Sequence, residues 1–471
     1  MASISSAGIG SGLDVESIVT KLMAIEKQPV TDLQTKASTI QTEISAFGSL
    51  QSSVASFRDA SAALTKATTW GATAATSSDT SSVGVSTSSS AFAGSYAVSV
   101  QALASAQSVA SQTYSASTDV VGEGDLTINV GAWDVGQPGF VARATISAMS
   151  IPISNTDTLA DVRDKINAAG GDVRASIITD SSGARLVLSS ASTGVSNGFS
   201  VTGTGGGAAF SYNATDGSSP MTRTQTATDA QAKINGLSIT SASNTLSDVV
   251  QGLTLNLTKV TTSDVQLSVT QDNTAIKKSI QDFVNAYNSL ATQMTSLTKY
   301  DDSTKTAGTL QGDSTAVSLQ RQVRNMLTGS TGASSVFTSL SDVGISIQAT
   351  GQLSLDDKKI TSALSNLTEV KKMFSASSTT DDATQDGIAQ RLRAFGDQVL
   401  GTDGSLTTRS AGLSKSLTNN SKDQDAINTR LANTEKRIRA QYSALDTQMA
   451  SANALNTYLT QQITNWNKST G

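Results

Sequence analysis

Residues 427–466 read INTRLANTEKRIRAQYSALDTQMASANALNTYLTQQITNW, and residues 33–57 read LQTKASTIQTEISAFGSLQSSVASF. In the first stretch the apolar positions are Ile427, Leu431, Ile438, Leu445, Met449, Ala452, Leu455, Leu459, Ile463 and Trp466. In the second they are Leu33, Ala37, Ile40, Ile44, Phe47, Leu50, Val54 and Phe57. Steps of three and four place each set on one face of a helix. An apolar seam of this kind is stable only against another seam. The two seams stand at opposite ends of 471 residues. The chain is therefore expected to leave as a helix, build a body, and return to pair its own termini or those of another copy. Such a plan suits structural and assembly proteins better than enzymes.

Working inward, a helical pattern runs from about Val15 to Gln28. Pro29 should interrupt or kink it, since proline has no amide hydrogen and disfavours helix at the preceding residue. The helix resumes from about Thr31 to Lys66. Residues 71–90 are mostly Ser, Thr, Ala and Gly and read as a transition out of the helical stem. Alternation of period two follows in Tyr96/Val98/Val100, Leu126/Ile128/Val130, Leu186/Leu188, Leu253/Leu255/Leu257 and Val265/Leu267/Val269, so about 91–270 should be β-rich. Thr158-Leu159-Ala160-Asp161-Val162 recurs as Thr245-Leu246-Ser247-Asp248-Val249. Each copy should open a short helix with a Thr/Asp cap and end at a glycine, Gly170 or Gly252. Two strand–helix–strand units then imply two β-rich subdomains, one inserted in the other. From about Asn273 the helical period returns in Ile276, Ile280, Phe283, Val284, Tyr287 and Leu290, and again in Val317, Leu319, Val323 and Leu327. Val343–Ile347 with Gly351–Leu355 reads as a hairpin. No proline follows Pro220, so the last helix can run long.

The fold class is α+β multidomain. Paired N- and C-terminal helices form coiled-coil legs and a helical stem, with two β-rich head domains inserted. The expected divisions are 1–40 with 431–471 for the leg, 41–75 with 273–430 for the stem, 76–105 with 231–272 for one β-rich head domain, and 106–230 for the distal one.

Composition narrows the function. Charged residues make up 15% of the chain, against roughly 25% in an average domain. The net charge of −5 supplies no basic stripe for nucleic acid. The chain has no Cys and no His. It can therefore move between reducing and oxidising compartments without a thiol step, and it lacks the usual general base and the commonest metal ligand. No stretch approaches the about 18 apolar residues of a membrane span. The N-terminus lacks the basic and apolar regions of a cleavable signal peptide. The doublets Asp301-Asp302, Asp356-Asp357 and Asp381-Asp382 suit helix starts or loops rather than glycoside hydrolysis. Gly8-Ile9-Gly10-Ser11-Gly12 has no preceding strand and no phosphate-binding continuation. Lys436, Arg437 and Arg439 beside Glu435 read as a solvated helix face. No catalytic residue, cofactor or metal is expected.

Gly8-Ile9-Gly10-Ser11-Gly12-Leu13-Asp14, Lys21-Leu22-Met23, Glu26, Gln28-Pro29 and Leu33 together resemble the start of the bacterial flagellar filament cap family, the hook-associated proteins 2. Residues 145–200 look like the flagellin hook IN motif. The resemblance continues in Ala232–Gly236 to Leu255, Phe283–Asn288, Gly312–Thr315, Asp342–Ile345, Gln441–Asp446 and Tyr458–Gln462. It implies export through the flagellar type III apparatus with a chaperone, on an uncleaved N-terminus, and a ring of copies at the extracellular filament tip that holds flagellin while it folds and inserts. The interface candidates are Leu22, Ile25, Leu33, Ile40, Ile44, Phe47, Leu445, Met449, Leu455, Tyr458, Leu459, Ile463 and Trp466. The alternatives are an adhesin whose Ser/Thr-rich head binds mucin or a host surface, and another flagellar axial protein. Neither nucleic-acid binding nor membrane insertion is expected.

Overall fold

The computed structural model describes residues 14–133, 139–215, 219–378 and 382–469. The chain divides into two compact units. One carries the residues up to Lys66 and from Lys277 onward; the other is Ala67–Ile276. Gly8 to Leu13 and Asp381 lie outside the described residues.

The first unit is helical. A helix Val15–Glu26 turns at Lys27 into a 38-residue helix Gln28–Thr65. The break falls two residues before Pro29, which occupies the first turn of the second helix, where its missing N–H costs nothing. The second helix buries Phe47, Leu50, Val54, Phe57 and Leu64. Phe57 meets Phe283 and Tyr287 of helix Asn273–Thr298 at ring-centroid distances of 5.4 and 5.7 Å. Phe283 meets Phe374 edge-on at 6.4 Å. Such aromatic contacts orient helices beyond simple area burial. The helix Ser314–Thr328 is capped by Asp313 and buries Ala316, Leu319, Val323 and Leu327, with Ala316 in the place expected for Val317. The hairpin exists as Ile345–Ile347 against Leu353–Leu355. Asn288 fixes it to the bundle: its amide donates to Leu353 O at 2.9 Å and accepts from Leu353 N at 2.7 Å. The C-terminal helix Ser405–Ser469 is 65 residues long.

The second unit has two cores. Five antiparallel strands run in the order Thr73–Ser77, Val265–Gln271, Gly94–Ala102, Ala230–Ile234, Leu237–Ser241. They share a core with the three-stranded sheet Thr245–Val250, Leu253–Leu257, Val83–Thr87, built from Val83, Val98, Val100, Leu246, Leu255, Leu267 and their neighbours. Chain between the third and fourth strands of the larger sheet forms the inserted subdomain. There Gly124–Trp133 pairs with Gly198–Gly205, Met149–Ile153 and Phe140–Ala142. Ser108–Ala110 joins Gly183–Ser190, Val173–Asp180 and Thr222–Gln225. The helix Leu159–Ala168 closes this core with Leu159, Val162 and Ile166. Gln107, nearly fully buried, donates to Phe199 O at 2.7 Å and accepts from Trp133 Nε1 at 2.9 Å.

Three expectations need correction. β structure begins at Thr73 rather than about 91: the transition at 71–90 holds the strands Thr73–Ser77 and Val83–Thr87, whose residues apart from the buried Val83 are partly buried or exposed. Thr158 and Asp161 do form a reciprocal capping box, but the second copy of the repeat is a strand. Thr245 to Val250 pairs with Leu253–Leu257 across a bulge, and Asp248 takes φ +62. Six residues before Gly252 are too few for a stable helix, and Leu246 fills the sandwich instead. The single strand expected before that second copy, over Ile234 to Ile239, is instead two strands joined by Asn235-Gly236, both at positive φ, the two-residue turn that matches strand twist.

Two outcomes are expected. Phe47→Ala should cost about 3–5 kcal/mol, because Phe47 is fully buried; an unchanged thermal midpoint would refute its place in the bundle. Asp157 is held down to about 2 by its pair with Lys165 and by the amide of Ser154, which donates to it at 2.7 Å. Its folded value lies below the ordinary 3.8, so its contribution is complete above about pH 4 and fades as pH falls towards 2. Asp157→Asn should therefore flatten the acid transition of the inserted subdomain in that window, as read by Trp133 fluorescence; an identical transition would contradict the pairing.

Candidate functional site

The terminal helices run antiparallel, and their contacts can be followed turn by turn. Asp14 caps the first helix by accepting from Ser17 N at 3.0 Å. Val15, Val19 and Met23, spaced four apart, face the C-terminal helix and form a cluster with Val30 and Leu431, flanked by Ile427, Ile438 and Tyr442. Glu16 and Arg439 close this end, Nη2 to Oε1 at 2.8 Å, while Glu435 accepts from the same guanidinium at 2.9 Å. The hydrogen bond from Arg439 holds the Glu16 carboxyl below its usual range, and Glu16 and Glu435 raise Arg439. Both groups are largely exposed, so the pair contributes to register more than to stability.

Along the C-terminal helix, Leu406, Leu413 and Asn420 are buried at steps of seven, and the half-buried Ile427 continues the series. This is a coiled-coil spacing. Asn420 is a polar interruption in it: its Oδ1 accepts from Gln424 at 2.7 Å, and its buried Nδ2 has no partner among the described residues. A groove of about 530 Å³ beside it is lined by Lys36, Ile40, Glu43, Leu413, Ser416 and Asp423, among others.

Beyond Tyr442 the picture changes. Every described side chain from Thr447 to Asn467 is exposed. Leu445 is 40% exposed, Leu455 58% and Trp466 72%. The structure thus divides the interface candidates. Ile40 and Phe47 are buried within the first unit, and Leu33 and Ile44 are half-buried. Leu22 and Ile25 lie on the outer side of the first helix, exposed, while Val15, Val19 and Met23 take the inner side. Leu445, Met449, Leu455, Tyr458, Leu459, Ile463 and Trp466 remain on the surface of one helix. The inward face of the first helix was readable from the four-residue step of Val15, Val19 and Met23. The partner of Arg439 was not, because Glu16 is 423 positions away.

Among the described residues no group of three or more His, Cys, Asp or Glu side chains could hold a metal ion. No described helix is long and apolar enough to cross a membrane. The terminal helices present a long, mildly apolar exposed surface.

Comparison with known proteins agrees with that character. Residues 11–107 match the model of the flagellar hook-associated protein 2 N-terminus, 227–454 that of its C-terminus, and 141–192 the flagellin hook IN motif. The flagellar hook-associated protein 2 of Escherichia coli strain K12 is 35% identical over 99% of both chains. That of Salmonella typhimurium is 32% identical over the full length of both. The crystal structure of the D1-D2-D3 domains of the flagellar cap protein FliD from Escherichia coli superposes with a TM-score of 0.62 at 33% identity, covering 78% of this chain and 99% of that one. The helical termini, the two β-rich domains and the sequence match together show that this chain belongs to the flagellar hook-associated protein 2 family, the family of the flagellar filament cap.

Proposed function

We propose that copies of this chain assemble as a ring at the distal tip of the flagellar filament, retain exported flagellin beneath them, and promote its folding and insertion during elongation. The observation that carries this reading is the exposed apolar stripe Leu445, Met449, Leu455, Leu459 and Ile463 on a helix whose other half is paired. A stripe that long exposed to water is a contact surface. Ser, Thr, Asn and Gln between its apolar residues keep each contact weak, which suits a cap that must release and re-bind as each subunit is added. No bond is made or broken. The work is steric confinement together with reversible helix contacts to the filament end.

The absence of Cys supports transit from a reducing to an oxidising compartment without a redox step. Export through the flagellar type III apparatus with a chaperone, and an extracellular location without a cleavable signal peptide, follow from the family resemblance and belong to this proposal.

In cells lacking their own cap protein, the chain ending at Ala444 should fail to support filament growth, and flagellin should accumulate in the medium. Lost export would mimic lost capping, so secretion of the variant is measured separately. The full-length double variant Leu455→Asp/Leu459→Asp, which keeps the C-terminus, should show the same defect. Filaments of normal length with either variant present at the tip would overturn the proposal.

A further inference from the structure

The seam between the second helix and the C-terminal helix is apolar except at one level. On the second helix Val30, Leu33, Ala37, Ile40, Ile44 and Phe47 follow steps of three and four, and each is buried or half-buried. On the C-terminal helix Leu413, Leu417, Asn420, Gln424, Ile427 and Leu431 do the same. Two carboxamides thus occupy consecutive seam positions, with leucine before them and isoleucine after.

Stability of the pair does not account for them. Asn420 is only 4% exposed. Gln424 Nε2 donates to Asn420 Oδ1 at 2.7 Å, so the two amides bond to each other along one helix. Asn420 Nδ2 has no partner among the described residues. Burying amide groups without full hydrogen bonding is less favourable than burying leucine. In coiled coils a polar residue at a seam position lowers stability and in return fixes how many helices associate.

The surface beside this level shows what needs excluding. The groove of about 530 Å³ at Ile40 and Leu413 is followed by one of about 500 Å³ lined by Pro29, Leu33, Ala426 and Ile427. Lys36 and Asp423 line both, so the two grooves run on past Asn420. A further helix laid there would cover apolar side chains above and below the level. At the level itself it would seal two poorly satisfied amides away from water. We infer that Asn420 and Gln424 keep the terminal helix pair two-stranded, by opposing association of helices from another copy through this groove. The inference goes beyond the cap reading and does not rest on it.

Disulfide trapping tests this in the full-length chain, which has no cysteine of its own. Asp423→Cys places a thiol at the exposed residue shared by both grooves. It is oxidised at one protein concentration in two backgrounds, the native seam and Asn420→Leu/Gln424→Leu. The native seam should give little disulfide-linked dimer. The leucine seam should raise the thermal midpoint and increase the linked dimer several-fold. Gln424→Leu alone, which keeps Asn420, should give an intermediate amount. A raised midpoint with no gain in linked dimer overturns the inference. A lowered midpoint also overturns it, because the carboxamides would then be stabilising the pair rather than limiting it.

Discussion

The antiparallel pairing of the first two helices with the C-terminal helix is the constraint on which the rest of the molecule depends. It ties Val15, Val19 and Met23 to Leu431 and carries on through Ile40 and Leu413 into the bundle. The two sides of this pair come from opposite ends of the chain. The helical unit is thus made of two separate stretches, and the β-rich unit Ala67–Ile276 is one continuous insertion. Inside that insertion the same logic recurs: the distal subdomain interrupts the five-stranded sheet between Gly94–Ala102 and Ala230–Ile234, which nevertheless pair directly.

Much of this could be read from the sequence, for physical reasons. Helical seams announce themselves at steps of three and four, and strands such as Leu126/Ile128/Val130 at steps of two, because each has one buried face. Where most side chains are partly wet the signal fades, which is why Thr73–Ser77 and Val83–Thr87 read as part of a transition. Local motifs were less secure. Thr158 and Thr245 open nearly the same five letters, yet one caps a helix and the other starts a bulged strand, because burial of Leu246 between two sheets outweighs a cap. Contacts remote in sequence, such as Glu16 with Arg439, left no local trace at all.

The candidate surface was legible in the same uneven way. The apolar stripe from Leu445 to Trp466 could be read as a helix face; on the first helix the signal was the four-residue step of Val15, Val19 and Met23 rather than the larger apolar residues. Leu22 and Ile25 are large and apolar, and so attract notice. The smaller Val15 and Val19 take the buried side because their step of four follows the axis of the partner helix. The outcome is a helix pair closed along the bundle side and open beyond Tyr442, with an exposed apolar stripe from Leu445 to Ile463. Ser and Thr are spread along the chain's helices and strands, and the apolar side chains from Leu445 to Trp466 are exposed on the far half of the C-terminal helix.

That the far half of the C-terminal helix is completed only on assembly is the central claim, and amide hydrogen exchange tests it most directly. Exchange is compared between the free protein and the protein bound at filament tips. In the free protein the amides from Leu445 to Ile463 should exchange fast while those around Leu413 and Leu431 are slower, and binding at the tip should slow the first group markedly. Equal, strong protection of residues 445–463 in the free monomer would contradict the claim, as would fast exchange that tip binding leaves unchanged.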